Sequence, residues 1–172
     1  LDRLAVVNPT IGMSVPDAEL MKSALSPFTP RSMWVSSIHG MALTPAQMAK
    51  LEWLALTDPD SDDVGDVSRM PRLRSLLTND WNAGKILRLP GTLEALTVTD
   101  GEIAVASLGN LSRLRRLELT GSTWIEATDL AALRKLRWLG LPTNATQVEF
   151  AALIAAHPNL EVLQIAGVDS VT

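Results

Sequence analysis

The chain has 172 residues, of which 47% are hydrophobic and 20% are charged, and its 15 Lys and Arg against 19 Asp and Glu give a net charge of −4. This composition is typical of one globular unit, and the negative charge argues against non-specific binding of nucleic acid. The longest apolar stretch, residues 150–156, is far shorter than the roughly 20 residues of a membrane span, and the absence of cysteine excludes disulfides and thiolate metal sites.

The first fifty residues contain two strand-like segments with a helix-like segment between them. Leu1–Val6 has the pattern apolar-x-x-apolar-x-apolar, and the alternation at its last three positions predicts a short strand. Val15–Leu25 has the spacing of an amphipathic helix. Residues 32–38 predict a second strand, but their apolar residues fit two registers, and neither register fills all three core positions. Because a slip of one residue exchanges the two faces of a strand, Trp34 is assigned to neither face.

A short helix is predicted next, because Thr44 is a residue type that caps helices and Pro45 suits the first helical position. Beyond this helix the pattern of Leu1–Val6 returns at regular spacing. Further copies begin at Leu51, Leu73, Leu93, Leu114, Leu136 and Leu160. Their starts are 20–24 residues apart, so each copy predicts one short strand followed by a turn and a return segment.

Two helices are predicted among the later return segments. The first is a short helix over Asp129–Lys135. The second begins at Thr146–Glu149, which has the sequence pattern of a capping box, and it runs to about Ala156. His157 and Pro158 end it, because a residue that precedes proline disfavours the helical conformation.

A single repeat of this kind cannot bury its own apolar face, so the repeats must stack, and stacking aligns their strands in one parallel sheet. The motif and its period resemble the leucine-rich repeat family over Leu51–Val168. The resemblance implies an α/β solenoid with a parallel sheet on the concave face and short helices or irregular segments on the convex face. We expect residues 1–172 to form a single domain, with irregular repeats in 1–50 and regular repeats of about 21 residues in 51–172. The start at Leu1 and the end at Thr172, in the middle of a repeat, indicate part of a longer polypeptide.

The residues between the strand leucines are predicted to point away from the core, onto the concave face. Most of them are small or polar, so Trp53 and Trp138 are the large side chains there. They lie four strands apart, about 19 Å, and therefore cannot line one small pocket. Two interpretations stay open for each: packing against a flank or a terminal cap, or anchoring an extended peptide or protein surface. The predicted partner-binding residues are Trp53, Arg116, Glu118, Trp138 and Gln164.

Two other tryptophans belong elsewhere in the predicted repeat. Trp124 falls at a core position, whereas Trp81 lies just past a strand, in a turn, and is left unassigned.

The second residue of each repeat is charged, and these residues should stack along one flank of the sheet. They are Glu52, Arg74, Glu94, Arg115, Arg137 and Glu161. The signs alternate over most of this row, which favours a structural role in cross-strand ion pairs. The exception is Arg115 beside Arg137, with a local basic cluster around them. This cluster is interpreted either as a solvated face or as a binding site for an acidic partner.

The sequence predicts no catalytic, metal or cofactor site. The segment from Asp58 to Asp66 has five carboxylates and opens like a calcium loop, but its sixth and twelfth places, Asp63 and Arg69, do not fit one. A solvated convex loop is the alternative. The two histidines are His39 and His157, and the latter is interpreted as a helix C-terminal residue favoured by the helix dipole. No phosphate-binding glycine loop or nucleophile elbow is present.

These observations, with the resemblance, predict a protein–protein interaction module that binds a protein or peptide through the concave face and is not an enzyme. The Ala- and Arg-rich repeats are similar to those of bacterial members of the family. The alternative is a structural or regulatory scaffold domain of a larger multidomain protein or enzyme. Strand edges at uncapped ends of the solenoid also favour self-association. The composition does not indicate a cellular compartment.

Overall fold

The computed structural model describes residues 3–6, 27–36, 43–57, 67–81, 89–101, 108–120, 130, 132–141 and 147–165. The predicted helix over Val15–Leu25, the core position of Trp124, the segment Asp58–Asp66 and the side chain of Thr146 lie outside these residues. Among the described helices, none has the length and apolarity that a bilayer span requires.

Eight strands form a single parallel sheet, and their order in the sheet is their order in the chain. The strands are β1 Arg3–Val6, β2 Ser32–Ser36, β3 Trp53–Thr57, β4 Ser75–Trp81, β5 Ala95–Gly101, β6 Arg116–Thr120, β7 Trp138–Leu141 and β8 Val162–Ile165. Each strand falls on a copy of the repeated pattern or on the predicted segment 32–38. β4 extends to Trp81, so the prediction that this residue follows the strand in a turn is wrong.

Two α-helices and a short 3-10 helix are described between the strands: α1 Pro45–Met48, the 3-10 helix Val67–Arg69 and α2 Gln147–Ala156. The helix predicted after Thr44 is confirmed as α1. The Thr44 hydroxyl accepts a hydrogen bond from the Gln47 N–H, and the Gln47 side chain accepts one from the Thr44 N–H, which completes a capping box. The helix predicted to end at about Ala156 is confirmed as α2.

Of the helix predicted over Asp129–Lys135, Leu130 is helical, whereas the prediction is wrong for residues 132–135, which are not helical. The Leu133 N–H donates to the Leu130 carbonyl, and the Leu136 N–H donates to the Leu133 carbonyl. The same three-residue step leads into other strands, from Leu108 to Leu111 and on to Leu114 in one repeat. It places a buried leucine in the core at each step.

The core is made of leucines that stack from strand to strand. Met33 pairs with Leu54, and the same column continues through the strands as Leu76, Leu96, Leu117, Leu139 and Leu163. The members from Met33 to Leu139 are at most 2% exposed. This column settles the register of β2: Met33 is the core residue, and Trp34 lies on the opposite face of the sheet.

A second continuous network runs along the edge where the strands begin. The carbonyl of each charged residue in this edge accepts two backbone N–H groups from the next repeat, as Arg115 does from Arg137 and Trp138 at 2.8 and 3.0 Å. The same pattern begins with the Arg31 carbonyl, which accepts from Glu52 and Trp53. These bonds fix every repeat in the same register, so residues at equivalent places form straight rows across the sheet.

Candidate functional site on the concave face

The sheet has one face on the core and one face that is open, the concave face. Two rows of residues cross it from β2 to β8, and both follow from the strand register; Arg3 and Ala5 continue them on β1, and Ser36, Thr57, Asn79, Thr99 and Thr120 belong to a third row. The first row is Ser32, Trp53, Ser75, Ala95, Arg116, Trp138 and Val162. The second row is Trp34, Ala55, Leu77, Thr97, Glu118, Gly140 and Gln164.

The structure places all five of the predicted partner-binding residues on this face. Trp53 and Trp138 occupy the same row, four strands apart, as the repeat predicts. Arg116, Glu118 and Trp138 are brought together, whereas Trp53 lies three strands from Arg116. Gln164 stands opposite Gly140 on β8 and is exposed.

Trp138 is the centre of a compact group of side chains, the Trp138 cluster, which comprises Thr97, Arg116, Glu118, Trp138 and Gly140. The guanidinium carbon of Arg116 lies 4.0 Å from the centroid of the Trp138 ring. Arg116 Nη2 also lies 3.2 Å from Glu118 Oε2. The Thr97 hydroxyl donates to the same Glu118 oxygen at 3.4 Å. The Thr97 hydroxyl, the Arg116 guanidinium and the Glu118 carboxylate therefore each have a polar partner within the cluster.

Gly140 gives the Trp138 ring its place on the sheet. A Cβ atom at Gly140 would lie 2.8 and 2.9 Å from two carbons of that ring, closer than real Cβ atoms approach. Gly140 is itself buried although it lies on the open face, because the indole covers it. The sequence does not reveal this contact, since a glycine in a strand has several explanations.

A second aromatic group lies on the N-terminal strands. Of its two residues, the sequence predicted only Trp53 to lie on the concave face. Trp34 pairs with Ala55, and Trp53 pairs with Ser32, so the two tryptophans are diagonal neighbours on adjacent strands. The strand spacings put their Cα atoms roughly 8 Å apart. Trp34 is 45% exposed, whereas Ala55, flanked by both tryptophans and by Leu77, is 2% exposed. We call Trp34 and Trp53 the aromatic pair.

The floor between the aromatic pair and the Trp138 cluster is shallow and uncharged. Ser75, Ala95, Leu77 and Thr97 line it. Arg116 and Glu118 are the charged side chains among the described residues of the two rows, and they form an ion pair with each other. The face is therefore electrically neutral between two bulky ends.

The flank beside this face carries the predicted row of charges, and the structure extends that row by Arg31. The row, which we call the charged row, is Arg31, Glu52, Arg74, Glu94, Arg115, Arg137 and Glu161. Ion pairs join Arg31 to Glu52 at 3.8 Å, Arg74 to Glu94 at 3.6 Å, and Arg137 to Glu161 at 3.1 Å. All six partners are well exposed, so these pairs add little stability individually.

His157 is placed differently from the expectation of a helix-terminal cation. It follows α2, but its side chain is only 2% exposed, and neither ring nitrogen has a hydrogen-bond partner with good geometry. Burial lowers its pKa below the ordinary value of 6.5, and the nearby backbone of Leu133 opposes this only in part. His157 occupies the place that Leu111 and Leu133 hold in their repeats, where burial favours the neutral imidazole.

The described residues contain no group of three or more His, Cys, Asp and Glu side chains that could hold a metal ion. The candidate site on the concave face therefore consists mainly of aromatic, guanidinium and small polar groups. These groups can contact a partner by packing and hydrogen bonding.

The architecture follows from the strand order, with one parallel strand per repeat and leucines in continuous columns. The fold is a leucine-rich repeat solenoid. No family model and no curated protein matches the sequence. Among solved structures, the solenoid is similar to an internalin (inlF) from Listeria monocytogenes str. 4b F2365, with 17% sequence identity and a TM-score of 0.48. The match covers 86% of this chain and 59% of the internalin chain.

Proposed function

We propose that this solenoid is a recognition module that binds an extended peptide or a protein surface through its concave face. The observation that carries the proposal is the Trp138 cluster, in which an arginine, a glutamate and a tryptophan are held together on an open surface. Tryptophan and arginine are the residues most enriched among those that dominate binding energy at interfaces. We propose that residues 1–172 act as one module.

The geometry of the Trp138 cluster favours binding over a purely structural role. Stacking of Arg116 on Trp138 contributes about 0.5–1 kcal/mol of stabilisation at an exposed site. This contribution is small for a contact that orders two long side chains. Side chains that are ordered before a partner arrives lose less conformational entropy on binding. The cluster is thus preorganised, and a flat partner group can pack on it without rearrangement.

The two ends of the concave face suit a partner with two contact points. The aromatic pair and the Trp138 cluster are about 19 Å apart, a distance that roughly six residues of extended chain would span. The small residues between them allow the main chain of such a partner to lie close to the sheet. We infer a partner whose apolar side chains fit both ends, with Trp53, Arg116, Glu118, Trp138 and Gln164 in contact.

The test compares capture of partners by the wild type, the Trp53→Ala, Trp138→Ala double variant and a Phe28→Ala control. Phe28 is an exposed aromatic residue that precedes β2 and is not part of the concave face. Each protein, shown to be folded by circular dichroism, is immobilised and incubated with lysate and culture medium of the source organism. We expect a protein captured by the wild type and the control but lost with the double variant, because losing such anchors costs at least about 2 kcal/mol.

Equal capture by the wild type and the double variant would contradict recognition through the concave face. The scaffold alternative predicts a different result, namely that the tryptophans are covered by another domain in a longer polypeptide. In that case acrylamide would quench tryptophan fluorescence strongly in this chain and weakly in the longer polypeptide, and no separate protein would be captured.

A further inference from the structure

The charged row contains one cation that its own neighbours do not neutralise. From Arg31 to Glu94 the row consists of arginine–glutamate ion pairs, and it ends with the pair Arg137–Glu161. Arg115 stands between these pairs. Its backbone carbonyl accepts the Arg137 N–H at 2.8 Å, so two arginines occupy directly adjacent places. Like charges opposite each other on neighbouring strands are destabilising.

More cations surround this break in the row. Arg113 and Lys135 each stand one residue before the first leucine of their repeats, and Arg134 precedes Lys135. All of them are exposed, as is Arg115, and none forms an ion pair with another described residue. We call Arg113, Arg115, Arg134 and Lys135 the basic patch. Successive turns of the sheet are about 4.8 Å apart, so the patch is compact.

Arg116 does not belong to the basic patch, although it follows Arg115 in the chain. Its side chain lies on the concave face, stacked on Trp138 and paired with Glu118. The two surfaces therefore differ in chemistry: from β2 to β8 the two rows of the concave face carry aromatic residues and no net charge, whereas the patch on the flank is cationic. Binding at one surface does not require the other.

The basic patch borders an open depression in the surface. Arg113 lines an open depression of about 230 Å³, together with Arg72, Thr92 and Glu94. The depression is walled by charged and polar groups. Because Glu52 and Glu94 also line the depression, only the part of a bound acidic segment beyond its carboxylates can lie there.

We propose that the basic patch is a second docking surface, and that its partner is an acidic segment of a protein with two or more closely spaced carboxylates. The argument is charge complementarity: four cations without acidic partners are concentrated in two adjacent turns of a chain whose net charge is −4. An acidic segment would neutralise them and relieve the repulsion between Arg115 and Arg137. The net negative charge of the chain opposes a long polyanion, so a short acidic segment fits the patch better than the continuous phosphate backbone of nucleic acid.

The experiment measures fluorescence anisotropy of a fluorescein-labelled peptide of six glutamates, at about 20 and about 200 mM salt. The test variant is Arg113→Gln, Lys135→Gln. The matched control is Lys50→Gln, Arg69→Gln, which removes two exposed cations that belong neither to the basic patch nor to the depression beside it. We expect the peptide to bind the wild type and the control at low salt, to bind the test variant about tenfold more weakly, and to dissociate at the higher salt.

A separate variant distinguishes binding from folding. Arg115→Gln removes the repulsion with Arg137, so its midpoint of urea unfolding should stay unchanged or increase while peptide binding weakens. Trp138→Ala should leave binding of the glutamate peptide unchanged, which separates this surface from the concave face.

Three results would overturn the proposal. One is failure of the wild type to bind the glutamate peptide at low salt, and another is an equal loss of affinity in the two double variants, which would reflect net charge alone. A thymidine hexanucleotide that binds more tightly than the peptide, with the same dependence on Arg113 and Lys135, would identify the patch as a phosphate site and not a site for an acidic protein segment.

Discussion

Gly140 shows how the absence of one side chain shapes the concave face. The Trp138 ring lies where a Cβ atom of residue 140 would be, and from there it reaches the guanidinium of Arg116. A strand residue with any side chain would move the indole away from the sheet. The position of the tryptophan is thus decided by its neighbour two residues later.

The substitution Gly140→Ala should displace the Trp138 ring from Arg116 and destabilise the protein by about 1 kcal/mol, because an added methyl group overlaps the ring. The indole N–H resonance of Trp138, assigned by its loss in Trp138→Phe, should shift in a nitrogen–proton NMR spectrum. Gly109→Ala is the matched control, because nothing lies within 4 Å of a Cβ at that exposed glycine. An unchanged Trp138 resonance in Gly140→Ala would contradict the assigned contact.

His157 is a polar residue in a place that other repeats give to leucine. We expect His157→Leu to stabilise the protein by about 1–3 kcal/mol at pH 7.5, since it removes a buried ring whose nitrogens lack partners. Leucine suits the site because Leu111 and Leu133 occupy it in their repeats. Urea unfolding measures the change. A variant less stable than the wild type at this pH would show that the imidazole makes a favourable interaction in the core.

The same residue predicts how stability depends on pH. Burial places the folded-state pKa of His157 below its ordinary value of 6.5, so below that pH the unfolded chain binds the proton first. The free energy of unfolding should therefore be retained above about pH 6.5 and decrease as the pH falls below it. His157→Leu should reduce this slope between about pH 7 and 5. Equal slopes for the two proteins would assign the effect to other groups.

At the scale of elements, two kinds of contact hold the strands in place: packing of leucines and backbone hydrogen bonds. Leucines hold one face on the core, and each carbonyl of the charged row from Arg31 to Arg137 accepts two N–H groups from the next repeat. The exposed ion pairs of that row add to a register that the backbone already sets. For this reason the row can tolerate Arg115 beside Arg137, at a cost of about 0.2–1 kcal/mol.

α1 is a single turn, so its stability depends on its cap more than on its length. Thr44→Ala removes the hydroxyl that accepts the Gln47 N–H, and we expect a loss of about 1 kcal/mol in the free energy of unfolding. Thr44→Ser keeps the hydroxyl and serves as the control. Urea titrations of the three proteins provide the measurement, and equal stability of Thr44→Ala and the wild type would show that the capping box does not stabilise the native fold.

At the scale of the whole molecule, each repeat packs on its sequence neighbours, so stability should vary along the sheet. Leu117 on β6 is fully buried between two strands, whereas Leu163 on β8 is half-buried and Val162 beside it is 44% exposed. β8 is the last strand among the described residues. Within the described part of the chain it has one neighbouring strand, whereas β6 has two.

Leu117→Ala should cost about 2–5 kcal/mol, the range for a buried leucine, and Leu163→Ala should cost less than half of that amount. Denaturant unfolding gives the two values. Native-state hydrogen exchange should also show slower exchange for amides of β4–β6 than for β8. Equal losses and uniform exchange would contradict the repeat-by-repeat picture and indicate one fully cooperative unit.

The sequence alone predicted the strands, the leucine columns and the positions of α1 and α2. It could do so because these features depend on local patterns: a repeated spacing of apolar residues, a capping pair, and a proline after a helix. The row of charges is also confirmed, since residues at equal places in equal repeats must align. Trp53, Arg116, Glu118, Trp138 and Gln164 were placed on one face by the same periodicity, and their part in binding stays a prediction.

Only the tertiary structure decided the features that depend on contacts between repeats. Trp34 was assigned to the concave face because Met33 enters the column of Leu54, and two residues 21 positions apart had to be brought together for that. The stacking of Arg116 on Trp138 over Gly140, and the burial of His157 next to Leu133, likewise join neighbouring strands or turns. Periodicity states which face a residue occupies, but the side chains that meet there are selected by shape and charge across the sheet.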